Sequence, residues 1–251
     1  MLKNSYFCQS PYLNVYETAT TKSNLSSQIL YGEKFQVIQK KKNFLKVRTI
    51  YDKYVGFIKV GKFNKKMKQT HKVSVLKSKI YSKPLSRFDT KKFLPFSSEI
   101  EILEKKNGFV MFEKNKWVSL NELEIIKKRN IDFTKILKLF LGCKYKWGGK
   151  SFDGIDCSAL LQMFYKFNSK FFPRDTIDQV KIKKGFINKK FFKKGDIIFW
   201  KGHVAICLNS NDLIHAYGPR KKVLIMPIRK TIKLIEKTAN LKILKLSLIH
   251  I

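Results

Sequence analysis

Residues 145–167 read Tyr145-Lys146-Trp147-Gly148-Gly149, then Lys150-Ser151-Phe152-Asp153-Gly154-Ile155-Asp156, then Cys157-Ser158-Ala159-Leu160-Leu161-Gln162-Met163-Phe164-Tyr165-Lys166-Phe167. The last of these stretches has apolar positions at helical spacing, and a glycine-rich loop leads into it. Cys157 therefore stands at a helix start, facing unpaired backbone N–H groups and the positive end of the helix dipole, which favour thiolate. Asp156 falls at the N-cap position, and the glycines let the backbone approach a ligand closely.

Working outward, a helix is predicted over 131–141 and strands over 197–200, 203–208, 213–217 and 223–226. Helices first and an antiparallel run of strands second is an α+β order for residues 130–251. His203 opens one strand, and His215 lies twelve residues later on the next, past the turn Asn209-Ser210-Asn211-Asp212. Antiparallel neighbours would bring the two imidazoles together. A cysteine nucleophile, a histidine base and a second histidine that orients it is the arrangement of a cysteine hydrolase. Cys8, Cys143 and Cys207 show no such company and read as packing residues.

The first half differs in kind. Over 11–62, short aromatic and β-branched strands (Val37-Ile38, Phe44 to Arg48, Tyr54 to Ile58) alternate with turns marked by Gly32 and Asn43. Residues 71–124 repeat the theme through Ile80-Tyr81, Glu99 to Leu103, Gly108 to Phe112 and Trp117-Val118. Two all-β units of this length predict two small barrels. The expected boundaries are an N-terminal segment over 1–10, all-β domains over 11–65 and 70–126, and an α+β domain over 130–251.

Composition narrows the function classes. Of 251 residues, 44% are hydrophobic, so a core can be buried. Lys and Arg number 53 against 18 Asp and Glu, a formal charge of +35. Only six of the basic residues are arginine, and the lysines are scattered along the chain. Specific nucleic-acid recognition favours the arginine fork, so the charge reads as codon bias rather than a nucleic-acid surface. The four cysteines share no CxxC spacing, which excludes a zinc ribbon and a dense disulfide scaffold. The first ten residues lack the apolar run of a secretory signal and no stretch is apolar enough to span a membrane. The expectation is a cytoplasmic protein, with the periplasm or cell surface as the alternative.

Residues 130–251 resemble the NlpC family of papain-like cysteine peptidases, which cut bacterial cell-wall peptides. The matching motifs are Tyr145-Lys146-Trp147-Gly148-Gly149, Asp156-Cys157-Ser158, Pro173-Arg174-Asp175-Thr176 with Gln179, Gly195-Asp196, Trp200-Lys201-Gly202-His203-Val204 and Ile214-His215-Ala216. Ala159 departs from the glycine the family often carries there. Leu30-Tyr31-Gly32-Glu33 and Asp52 to Ile58 resemble a bacterial SH3-like domain, with Trp117-Val118 at the equivalent late position of the second copy.

The resemblance implies a papain-like domain, helices packed on an antiparallel sheet, behind two SH3-like barrels. It implies Cys157, His203 and His215 as the catalytic set, with no metal or cofactor. It implies hydrolysis of a γ-D-glutamyl bond to meso-diaminopimelate or lysine in peptidoglycan-derived peptides. Relatives with SH3-like domains act on short peptides with a free N-terminal L-Ala. Tyr145, Asp156 and Ser158 match the amine-binding positions, Trp147 and Arg174 fall in the substrate-binding motifs, and Glu33 and Tyr54 are the contributions expected from the first SH3-like domain. An N-acetylmuramoyl-L-alanine amidase, a thioester-forming acyltransferase and a non-catalytic wall-binding protein are the competing readings. The oligomeric state is left open.

Overall fold

The structure, a computed structural model, describes residues 4–182, 185–186 and 191–249. The first three residues of the N-terminal segment and the last two of the α+β segment lie outside them. The chain divides into two compact units, Met1–Arg129 and Asn130–Ile251.

The first unit is all-β. Its first sheet has six strands in the order Ser5–Phe7, Lys34–Lys41, Phe44–Thr49, Val55–Lys59, Tyr12–Tyr16 and Leu25–Leu30. Alternation along these strands sends Val15, Ile29, Phe35, Val47 and Ile58 into one core with Cys8. The second half forms a five-stranded sheet (Glu104–Lys106, Phe109–Glu113, Lys116–Ser119, Lys77–Tyr81, Asp89–Pro95) and a three-stranded one (Glu99–Ile100, His71–Val73, Leu123–Ile125). The expected barrels do not close among the described residues. In the first half, register shifts interrupt the pairing between Val15 and Tyr16 and between Val37 and Gln39. Such bulges bend a strand and locally disrupt its ladder, which resumes beyond them, and β-branched spacing alone does not foretell closure.

The second unit is α+β. Its helices are α1 (Phe133–Leu139), α2 (Cys157–Phe167), α3 (Thr176–Ile182) and α4 (Ile228–Ala239). Strands β1 (Asp196–Trp200), β2 (His203–Cys207), β3 (Asp212–Tyr217), β4 (Lys222–Pro227) and β5 (Lys245–Leu248) join Gly185–Phe186 in one antiparallel sheet. The sheet order is Gly185–Phe186, β5, β1, β2, β3, β4. Every residue of α2 is buried, Gln162 and Lys166 included. A helix wrapped on all sides by protein is held by packing rather than by one amphipathic stripe, and α2 lies against β2 and β3. The α+β fold expected of residues 130–251 is therefore the one observed, with α3, α4, the Gly185–Phe186 strand and β5 added. The α4 sequence had the signal, since Ile228, Ile232 and Ile235 recur at helical spacing on a strongly basic helix.

Candidate active site

Asp156 caps α2, as its position before the helix allows: its Oδ1 accepts from the Ala159 N–H at 2.8 Å. Its carboxylate also accepts from the Gly148 N–H at 2.9 Å, which fastens the Trp147-Gly148-Gly149 loop to the helix start. Arg174 grips the same group with both fork nitrogens, Nη1–Oδ1 at 3.0 Å and Nη2–Oδ2 at 2.5 Å, and Nη1 also donates to Ser158 Oγ at 2.8 Å. Asp156, Ser158 and Arg174 are all buried. The loop, the helix start and the segment before α3 are thus tied to one carboxylate.

Cys157 is a free thiol, 4% exposed. Its Sγ lies 3.9 Å from the Gly202 carbonyl oxygen and meets the Val204 backbone, so it sits against the two neighbours of His203. The Lys201-Gly202 turn makes this possible. Trp200 pairs with His203 across it, and Gly202 takes φ +74°, a conformation glycine adopts without strain. Burial, then the neighbouring Asp156 carboxylate, push the Cys157 thiol up to about 12, against the lowering pull of Val204, Thr176 and Arg174. The thiolate expected from a helix start is therefore not the resting form, because desolvation outweighs the helix end.

His203 and His215 meet. Register pairs Ile206 with Ile214 and Cys207 with Leu213, which sets both rings on one face of adjacent strands. His203 Nε2 is 2.9 Å from His215 Nδ1, and His215 Nε2 is 3.3 Å from Met226 Sδ. A thioether sulfur can accept a hydrogen bond but has no proton to donate. The neutral pair accordingly has one self-consistent tautomer: His215 carries its proton on Nε2, its Nδ1 accepts from His203 Nε2–H, and His203 Nδ1 keeps its lone pair. Tyr217 stacks on His215 with centroids 4.7 Å apart and planes 9° apart, fixing the ring's tilt. Met226 and Tyr217 were not foreseen. A methionine among alternating strand residues reads as packing, and only its register opposite Leu213 puts it beside the histidine.

Burial lowers His203 to about 4, and burial with the neighbouring His203 lowers His215 to about 3. The resting site is a neutral thiol beside neutral imidazoles. A base whose folded pKa lies below its ordinary 6.5 stays unprotonated well into acid, so the acid limb of kcat/KM is expected below pH 6.5. Stability runs in the same window. The unfolded chain binds these protons first, so stability is intact above about pH 6.5 and falls by about 1.4 kcal/mol per pH unit for each ring as the pH drops toward 4. A pH-rate profile and urea midpoints between pH 7 and 4 check both, and an acid limb at or above 6.5 would overturn the assignment of buried neutral rings.

Tyr145 is half-buried, and its hydroxyl is pushed up by burial and by the nearby Cys157 and Asp156. It belongs to the same cluster. Trp147 is 63% exposed on the loop above. Glu33 and Tyr54 lie in the first unit, Glu33 buried and Tyr54 packed at the edge of that unit's core.

Residues 142–237 match the NlpC/P60 family model. They are an NlpC/P60 domain. Residues 15–62 match the bacterial dipeptidyl-peptidase SH3 domain. The chain is 26% identical over 238 residues to dipeptidyl-peptidase 6 of Lysinibacillus sphaericus, covering 81% of this chain and 84% of that one. It is equally 26% identical over 238 residues to a γ-D-glutamyl-L-lysine dipeptidyl-peptidase of Bacillus subtilis, covering 84% and 79%. An NlpC/P60 family protein from Bacillus cereus shares the fold, with TM-score 0.76 at 19% identity over 89% of this chain and 94% of that one. No helix among the described residues is long and apolar enough to cross a membrane. The family match and the dipeptidyl-peptidase relatives together support a cysteine-type peptidase.

Proposed function

We propose that the protein hydrolyses the γ-D-glutamyl bond to a diamino acid in short peptidoglycan-derived peptides bearing a free N-terminal L-Ala. The relay from Met226 through His215 and His203 toward the Cys157 thiol carries this reading, because it supplies a base whose lone pair has one direction. In the first step the Cys157 proton passes to His203 Nδ1 as sulfur attacks the scissile carbonyl. The N–H groups of Cys157 and Ser158, in the first turn of α2 ahead of the Asp156 cap, face the developing oxyanion. The imidazolium then gives its proton to the leaving amine, and the C–N bond breaks to leave a thioester. Water loses a proton to His203 and attacks the thioester, and that proton returns to sulfur as the acid departs. His215 holds the ring and stabilises its charge throughout.

Tyr145, Asp156 and Ser158 receive the amine end, where Tyr145 and Ser158 offer hydroxyls beside a carboxylate already balanced by Arg174. The long relationship to enzymes named dipeptidyl-peptidases supports a dipeptide product. Incubation with L-Ala-γ-D-Glu-L-Lys and L-Ala-γ-D-Glu-meso-diaminopimelate, followed by mass spectrometry, is expected to yield L-Ala-D-Glu and the free diamino acid. Acetylating the amine of L-Ala should suppress cleavage. Release of L-Ala instead, or equal turnover of the acetylated peptides, would overturn the proposal.

A further inference from the structure

A cavity of about 480 Å³ opens beside His203, wholly within the second unit. Tyr145, His203 and Tyr217 form its inner end, Leu234 and Ile235 of α4 with Leu241 form an apolar wall, and Lys201 and Arg220 stand at its mouth. Among the described residues no acidic side chain lines it. Among the described residues neither Lys201 nor Arg220 is engaged in an ion pair, so both cations remain available to a ligand.

Both are held in place by backbone. Lys201 occupies the first position of the two-residue turn that also presents His203. Arg220 ends the short turn Gly218–Arg220, which Lys221 closes at φ +55° by donating its N–H to the Gly218 carbonyl at 2.9 Å. The Tyr145 N–H in turn donates to the Lys221 carbonyl at 2.9 Å, so the turn is anchored to the loop that leads to the nucleophile.

We propose that this cavity receives the leaving diamino acid, and that Lys201 and Arg220 make it favour a residue with a second carboxylate, meso-diaminopimelate, over lysine. The proposal rests on the γ-D-glutamyl reading above and extends it to the leaving side. His203 must protonate the departing amine, so the group attached to that amine lies beside His203. A terminal lysine brings one carboxylate and one side-chain ammonium. Diaminopimelate adds a carboxylate at the end of the same aliphatic chain, so its two anionic groups match the two cations while its methylenes cover the apolar wall. Lysine leaves one cation unmatched and points at it an ammonium that, in diaminopimelate, the adjacent added carboxylate balances. The guanidinium of Arg220 can take the added carboxylate with two parallel hydrogen bonds.

The test measures kcat/KM of the full chain on L-Ala-γ-D-Glu-meso-diaminopimelate and L-Ala-γ-D-Glu-L-Lys. The wild-type ratio is expected to favour diaminopimelate by about tenfold or more, the scale of one charge-assisted contact at a partly open site. Arg220→Gln should bring that ratio toward one, Arg220→Glu should invert it, and added salt should shrink it. Arg220 and Lys201 are exposed, and thermal melts of the variants are to check that they fold like the wild type. A wild-type ratio near one, or a ratio unmoved by Arg220→Glu and Lys201→Glu, overturns the proposal while leaving the γ-D-glutamyl activity standing. Failure of the wild type to cleave either peptide would instead remove the reading beneath it.

Discussion

Replacing Cys157 with alanine is expected to lower kcat/KM on the tripeptides by at least about a thousandfold, because a nucleophile and its base act as one unit and little survives the loss of either. The side chain is small and the backbone N–H groups of α2 stay in place, so binding and oxyanion contacts persist without a bond-forming atom. The Asp156 cap is untouched, and circular dichroism should match the wild type. A discontinuous assay by mass spectrometry reads the residual product. Cys157→Ser refines the result, since a hydroxyl in the same buried site surrenders its proton far less readily than a thiol. Turnover by Cys157→Ala within about tenfold of wild type would mean that the reaction bypasses this sulfur.

Arg174→Gln is expected to lower stability by about 3–5 kcal/mol, the cost of leaving one member of a buried ion pair uncompensated. Asp156 and Arg174 are 5% and 2% exposed, so water cannot replace the lost fork. Asp156 would retain the Ala159 and Gly148 N–H groups and the Ser158 hydroxyl, neutral donors that do not replace the lost positive charge. Urea denaturation of the full chain, followed through the tryptophans, reads the change, since Trp147 and Trp200 both lie in the second unit. Adding Asp156→Asn should recover part of the loss, because asparagine keeps a capping oxygen and drops the charge. A loss below about 1 kcal/mol would show the pair to be solvated and its geometry unimportant. Activity should decline with stability, because the same carboxylate ties the glycine loop to the nucleophile's helix.

Much of the second unit could be read from the residues in order. The periodicity of 157–167 marked α2, the aromatic and β-branched runs marked β1 to β4, and the one-turn gap between His203 and His215 brought the rings onto neighbouring strands. These features are local, or one hairpin apart, which is the range over which pattern and turn chemistry carry information. What escaped depends on long-range packing. Arg174 meets Asp156 across eighteen residues and a loop, and nothing in either segment says that both become buried. Met226 reaches His215 only through strand register. The protonation of Cys157 could not be read either, since a helix start favours thiolate and only the finished core reveals how little water reaches the sulfur. In the first unit, strand spacing carries the all-β character, while whether the sheets close leaves no periodic trace.

Cys157, the nucleophile proposed above, sits on a helix enclosed along its whole length, while Arg220 and Lys201 stand on short turns open to solvent. Change at the first is punished by the core; change at the second is nearly free. If these two cations select the diamino acid as proposed, descendants of such a chain could exchange one cell-wall substrate for another by a few codons at the rim, with the buried helix inherited intact.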